Sequence, residues 1–175
     1  MRIGILDIQG SVEEHKKKLF QLGVKPIMVK SAEDFERLDG LIIPGGESTT
    51  IGLLLETGGL KKALVKAVRC GMAVWGTCAG AILLSKFGLI DIEIERNAYG
   101  RQIDSFETEI AFLGKTIPAV FIRAPKIRSA GKPVEILSEY GDSKTAVRQG
   151  KILATSFHPE MTDDRTVHRY FLKMC

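Results

Sequence analysis

Residues 72–87, MAVWGTCAGAILLSKF, change character in the middle. Met72 to Trp75 is an apolar run of strand length. Gly76-Thr77-Cys78-Ala79-Gly80 is built from small residues, and an apolar stretch of helical length follows. This strand, sharp turn and helix continue an alternation of short β-type runs and helical patterns that begins at the N-terminus. RIGILDI (2–8) reads as a strand. A helix then opens at Ser11, with Glu14 completing a capping box, and stops at Gly23. KPIMVK (25–30) is a second strand, followed by a short helix over 31–38 with Ser31 as N-cap. GLIIPGG (40–46) is a third strand, and Ser48 caps TTIGLLLE. LKKALVKAVRCG (60–71) is an amphipathic helix with its own glycine stop.

Buried runs alternating with helices imply a parallel sheet covered on both faces. The expected fold is therefore α/β: a three-layer, doubly wound, flavodoxin-like, mostly parallel sheet. The second half differs. LIDIEIER (89–96), SFETEIAFL (105–113), TIPAVFIRA (116–124), VEILSEY (134–140), TAVRQG (145–150) and KILATSF (151–157) read as successive strands with short turns. They predict an antiparallel extension together with the last strands of the main sheet. Residues 163–175 close the chain as a helix, with Val167, Tyr170, Phe171 and Met174 at helical spacing. No repeat or linker divides the chain, so residues 1–175 are expected to form a single domain.

The bulk properties exclude several classes. The chain has 175 residues, 45% hydrophobic and 26% charged, with 25 basic and 21 acidic side chains interspersed along it. Nucleic-acid binding calls for a concentrated basic stripe. The nearest candidate, HKKKL (15–19), reads as a solvated helix face. No apolar stretch reaches the roughly 18 residues of a membrane span, and the N-terminal run is broken by Gly4 and Asp7. The three cysteines are odd in number and lack metal-type spacing. This predicts a reducing, cytoplasmic setting with neither a disulfide framework nor a metal.

Ligands of an open α/β sheet bind outside the carboxyl ends of its strands. Three such ends carry unusual residues. Gly76–Gly80 has the form of a nucleophile elbow with cysteine at its centre. At a helix N-terminus the dipole and free amides favour a thiolate. The same pattern also fits a small apolar side chain packed under the helix, and the pentad alone leaves both readings open. Of the three histidines, His15 and His168 fall in helices and are expected at the surface. His158 ends a strand, is fixed by Pro159 and has Glu160 two residues on, so it can serve as a base with an orienting carboxylate. Pro44-Gly45-Gly46-Glu47-Ser48 can present unobstructed backbone N–H groups. With the amide of Ala79 these could receive a developing oxyanion.

Together these pieces resemble the class I, or triad, glutamine amidotransferases. At finer grain LDIQGSVEEH (6–15), LDGLIIPGGESTT (38–50), GTCAG (76–80), IERNAYGRQIDSFE (94–107), VFIRAP (120–125) and SFHPEMTDD (156–164) are similar, in the same order, to the glutaminase subunits of pyridoxal 5′-phosphate synthase, the PdxT/SNO family. GGESTT and ERNAYGRQ are the specific motifs.

The resemblance implies roles for individual residues. Cys78 attacks the side-chain amide of L-glutamine, His158 carries the proton, and Glu160 orients His158. The backbones of Gly46 and Ala79 hold the oxyanion, while Gly46, Glu47, Ser48, Arg96, Ile122 and Arg123 bind glutamine. It implies no cofactor and no metal. The implied partner is a (β/α)₈ barrel synthase, in a hetero-oligomer of many copies of each, which receives the ammonia and without which the glutaminase is poorly active. QGSVEEH would belong to the docking side.

There are departures from the family pattern. The segment between the nucleophile helix and LIDIEIER is short, and Thr155 stands where many relatives carry cysteine, a change expected to be neutral. The alternatives are a glutaminase of another class I system, such as imidazole glycerol phosphate synthase, or a non-catalytic binding module.

Overall fold

The computed structural model describes residues 1–96 and 105–175. In chain order the first half comprises β1 (Ile3–Leu6), α1 (Val12–Gln21), β2 (Ile27–Val29), β3 (Gly40–Ile43), α2 (Ser48–Thr57), α3 (Leu60–Arg69), β4 (Ala73–Thr77) and α4 (Ala79–Lys86). The second half comprises β5 (Ile92–Glu95), β6 (Ser105–Phe112), β7 (Lys115–Ile122), β8 (Lys126–Ala130), β9 (Glu135–Tyr140), β10 (Ser143–Gln149), β11 (Ile152–Thr155) and α5 (Thr166–Met174).

Among the described residues the main sheet has nine strands, and its spine runs β2-β1-β3-β4-β11 with every pair parallel. This is the strand order of a flavodoxin-like sheet, which turns back on itself between β1 and β3. Beyond β11 the sheet continues antiparallel through β10, β8 and β5, with β9 also pairing β10. The strands β6 and β7 form a separate hairpin.

Strand alternation builds the layers, because successive side chains leave on opposite faces. On one face Leu41, Ile43 and Val74 pack with Ile51 and Leu55 of α2, Leu64 of α3 and Leu83 and Leu84 of α4. On the other, Ile3, Ile5, Ile42, Ala73 and Trp75 pack with Leu19 of α1, Val167 and Phe171 of α5, and the hairpin residues Ile110, Phe112, Ile117 and Phe121. The expected three-layer α/β sheet with its antiparallel extension is thus observed.

Local differences have physical causes. The segment 31–38 contains only a 3₁₀ turn, Glu33–Phe35, whose N-cap is Ala32 rather than Ser31 and makes no side-chain capping bond; the Asp34 carboxylate within the turn instead accepts from the N–H groups of Lys30 and Ser31 at 2.9 and 2.8 Å. Strand β8 was not anticipated. Its sequence KIRSA buries only Ile127 fully, and it pairs by register with β5 and β10 rather than by a hydrophobic pattern. HKKKL is not a uniformly solvated face, since His15 and Lys18 are buried. The abrupt join after α4 is a Schellman closure. Leu89 N–H bonds Leu84 C=O at 3.0 Å, Gly88 N–H bonds Ser85 C=O at 2.9 Å, and Gly88 takes φ +65°.

Candidate active site

The carboxyl ends of β1, β3, β4 and β11 are adjacent, so the loops that follow them meet at one place. Cys78 is fixed from both sides. Its N–H bonds Thr155 C=O at 2.8 Å, extending the β4–β11 ladder, and its C=O accepts from Ile82 N–H at 3.2 Å, starting α4. Between these constraints Cys78 adopts φ 47°, ψ −101°, a conformation that costs a non-glycine residue about 1–3 kcal/mol.

The flanking glycines do not carry this strain. They permit close approach: a Cβ on Gly76 would lie 2.4 Å from the Gly80 backbone, and one on Gly80 would lie 2.2 Å from Ile43 O on β3. The elbow therefore locks α4 down on the sheet and leaves the strain on the cysteine. Cys78 is 6% exposed, its Sγ 3.9 Å from Ile122 O, and it sits ahead of the α4 amides, which lack intrahelical partners.

His158 follows β11, and its N–H bonds Val120 C=O of β7 at 2.8 Å. The imidazole and the Cys78 thiol line the same cavity, and the imidazole Nδ1 lies 2.8 Å from Glu160 Oε1. Burial pulls the pKa of His158 down, but the interactions with Cys78 and Glu160 outweigh it and raise the pKa to about 10. Glu160 is almost fully buried. Burial pushes its carboxyl up, while His15, His158 and the Ser11 hydroxyl hold it down, to about 2. A thiol, an imidazole and a carboxylate in line are the parts of an acyl-transfer triad.

Pro44-Gly45-Gly46 passes directly over this line. A Cβ on Gly45 would lie 2.3 Å from His158 Cε1 and 3.4 Å from Cys78 Cβ. The loop after β1 holds the turn in place: Ser11 N–H bonds Gly45 C=O at 3.0 Å, and Glu47 N–H bonds Gln9 Oε1 at 3.1 Å. In a trans peptide this puts the Gly46 N–H on the side opposite Ser11.

A cavity of about 400 Å³ opens here. It is lined by Gly46, Glu47, Ser48, Cys78, Ala79, Arg96, Ile122, Arg123 and His158, so all the expected site residues border it except Glu160, which stands behind His158. Ile82 and Pro125 complete the wall and were not anticipated. The N-cap of α2 is Glu47, not Ser48. Its carboxylate accepts from Thr49 and Thr50 N–H at 3.0 and 2.7 Å, and these bonds, led by that of Thr49, lower its pKa to about 2. Arg96 reaches Thr49 Oγ1 at 3.2 Å and Glu47 Oε1 at 3.5 Å. The ERNAYGRQ motif beyond Arg96 lies outside the described residues.

Three residues expected elsewhere belong to this neighbourhood. Ser11 makes no helix-capping bond and instead donates its hydroxyl to Glu160 Oε1 at 2.7 Å. His15 and His168, expected at the surface, are fully buried behind the triad. No sequence signal marks them, because their place depends on α1 and α5 packing against the segment after β11. The hydroxyl of Thr155 accepts from the Trp75 indole at 3.1 Å. Cys70 is exposed and Cys175 half-buried. Among the described residues no cluster of three or more His, Cys, Asp or Glu side chains is placed to hold a metal ion, and no helix is long and apolar enough to cross a membrane.

A flavodoxin-like sheet with cysteine at the strand-to-helix turn and His-x-Glu on the neighbouring strand end is the architecture of the class I glutamine amidotransferases. A family model described as the SNO glutamine amidotransferase family matches residues 5–175, and the chain belongs to that family. It is 50% identical over 186 residues to a protein of Thermotoga petrophila named pyridoxal 5′-phosphate synthase subunit PdxT, with 99% of each chain covered. It is 52% identical to the protein of that name from Caldicellulosiruptor saccharolyticus, covering 98% of this chain and 97% of the other. A crystal structure described as a glutamine amidotransferase superposes with a TM-score of 0.95 at 45% identity, covering 99% and 98% of the two chains. A chain in the structure of PurLQS from Thermotoga maritima, at 16% identity and a TM-score of 0.81, shares the fold over 98% of this chain and 97% of its own.

Proposed function

We propose that this chain, acting as one domain over residues 1–175, is the glutaminase subunit of a pyridoxal 5′-phosphate synthase. It hydrolyses L-glutamine to L-glutamate and ammonia and delivers the ammonia to a barrel-shaped synthase. The observation that carries the reading is the cavity of about 400 Å³, with the Cys78–His158–Glu160 line at one wall and Gly46, Glu47, Ser48, Arg96 and Arg123 around it. The full-length relatives at 50 and 52% identity, both named as subunits of that synthase, support the choice of system.

In this mechanism the Cys78 sulfur attacks the side-chain carbonyl carbon of glutamine, and the thiol proton passes to His158. The oxyanion is received by the backbone N–H groups of Gly46 and Ala79. Collapse of the tetrahedral species breaks the C–N bond, His158 gives its proton to the leaving nitrogen, and ammonia departs. Water, deprotonated by His158, then cleaves the γ-glutamyl thioester, releasing glutamate and restoring the thiol. Glu160 holds the imidazole in the tautomer and orientation that these transfers require. The Arg96 and Arg123 guanidinium groups suit the substrate carboxylate, which their planar forks can grip with paired bonds. No cofactor enters these steps. A cytoplasmic setting agrees with three free thiols.

The test is glutamate release from glutamine with and without the barrel synthase. The expected result is release that the synthase increases and that Cys78→Ala abolishes. Equal rates with and without synthase would overturn the reading as a synthase component, and full activity of Cys78→Ala would overturn the mechanism.

A further inference from the structure

Behind the triad lies a second pair of imidazoles that the mechanism above does not use. His15 Nδ1 is 3.0 Å from His168 Nε2, and both residues are fully buried. His15 Nε2 lies 3.3 Å from Thr77 Oγ1 and 3.5 Å from Glu160 Oε2. Trp75 packs edge-on against both rings, with centroids 5.4 Å from His15 and 4.8 Å from His168, and so fixes their planes. Two polar atoms here are left over: Glu160 Oε2 and His168 Nδ1 are buried without a hydrogen-bond partner of good geometry.

These contacts decide the tautomers. Burial lowers the pKa of both histidines, most strongly that of His168, so the pair is neutral and carries two N–H groups. If His15 Nδ1 donated to His168, His15 Nε2 would aim a lone pair at the Glu160 carboxylate. His168 Nδ1–H would then be an orphaned buried donor, the rarer defect in proteins. The opposite arrangement removes both problems. His168 Nε2–H donates to His15 Nδ1, and His15 Nε2–H faces Thr77 Oγ1 and Glu160 Oε2. On the imidazole pair the leftover is then only a lone pair on His168, and Glu160 Oε2 faces an N–H at 3.5 Å rather than a second lone pair.

We propose that His15 and His168 are positioning residues of the triad, His168 orienting His15 and His15 holding the outer oxygen of Glu160 so that its inner oxygen stays on His158. The inference rests on the reading of Glu160 as the triad carboxylate. Ser11 and His158 both address Oε1. His15 is thus the side chain that approaches Oε2, and without it the carboxylate could rotate about its bond to the chain. The ionisable groups facing His15 are Glu160 and His158 from the segment after β11, Glu14 from α1 and His168 from α5. His168 is faced by His15, Glu160 and Lys18.

The experiment compares His15→Leu, His15→Gln and His15→Asn. Gln can place an amide N–H near the position of Nε2, whereas Asn reaches only that of Nδ1. Two readouts are taken: kcat and KM for glutamine with the synthase present, and the titration of His158 by ¹⁵N-histidine NMR on the chain with Cys78 intact. Expected for His15→Leu and His15→Asn is a kcat lowered about tenfold, by analogy with outer-shell partners that orient metal-bound histidines, with KM little changed. The His158 titration should move to lower pH, and His15→Gln should restore most of both. A folded His15→Leu with wild-type kcat and titration overturns the inference, as does a kcat loss with an unmoved titration that Gln fails to rescue. Should Leu prevent folding, the Gln–Asn contrast decides, and equal behaviour of the two overturns it. If the wild type releases no glutamate, the glutaminase reading falls, while the NMR titration still decides the positioning role.

Discussion

Glu160→Gln isolates what the buried carboxylate contributes. Three donors converge on it: His158 Nδ1–H at 2.8 Å and Ser11 Oγ–H at 2.7 Å on one oxygen, with His15 Nε2 at 3.5 Å from the other. An amide has one oxygen, so at least one of these donors would face an NH₂ group. The magnitude follows from linkage. The Glu160 pKa falls from 4.5 to about 2, and each unit is worth about 1.4 kcal/mol, so the carboxylate's partners favour its charged form by about 3 kcal/mol. His158 takes part in the same interaction, so its own rise from 6.5 to about 10 is not counted again.

Removing the charge should lower kcat by about two orders of magnitude, the rate equivalent of about 3 kcal/mol. It should also move the loss of the His158 proton from about 10 toward neutrality, since burial then acts with less opposition. The stability profile has a definite sign. A depressed carboxylate pKa stabilises the fold above 4.5, and that contribution is lost as pH falls through about 2. A raised imidazole pKa stabilises it below 6.5, and that contribution is lost as pH rises through about 10. The variant should therefore show flatter loss on both sides in urea unfolding across pH. The assays are glutamate release with the synthase present from pH 6 to 10 and NMR titration of His158. A kcat within threefold of wild type, with the His158 titration unmoved, would refute the reasoning.

Three further substitutions test the elbow. Gly80→Ala places a Cβ 2.2 Å from Ile43 O, a backbone atom of a buried strand that cannot swing aside, so α4 must lift from the sheet. A loss of at least about 2 kcal/mol, in the range of overpacked cores, should appear as a lower Tm in calorimetry, and an unchanged Tm would contradict the contact. Cys78→Gly and Cys78→Ala should both be inactive, but Gly relieves the φ 47°, ψ −101° backbone that Ala retains. Gly is expected to be the more stable by about 1 kcal/mol despite its greater unfolded-state entropy, and the reverse order in chemical denaturation would remove the strain from the account.

The parallel core was legible because its causes are local. Strands such as Leu41–Ile43 and Ala73–Trp75 are short apolar runs bounded by turn residues, and the two glycine stops at 23 and 71 close helices by a backbone geometry that sequence announces. The convergence of the three residues of the proposed triad was legible for a related reason, since each lies within a few residues of a strand end and the sheet order brings those ends together. β8 was hidden because its sequence KIRSA fully buries only Ile127 and carries little apolar pattern, its register being set by the strands on either side, β10 and β5.

The support behind the triad was hidden for a different reason. Ser11 and His15 sit at α1, 149 positions from Glu160 and 153 from His168 of α5 respectively, and their polar character alone predicts solvent. His15 is buried and Ser11 half-buried because the carboxylate they surround is buried. Moving a charged group from water into a core is costly unless donors come with it, and the donors must come from whichever elements pack there. The placement of Glu160 therefore predicts that polar side chains stand behind it, without saying on which helices. The sequence of a buried triad can disclose its reacting groups through local pattern. Its outer partners appear only once the layer that covers them is built.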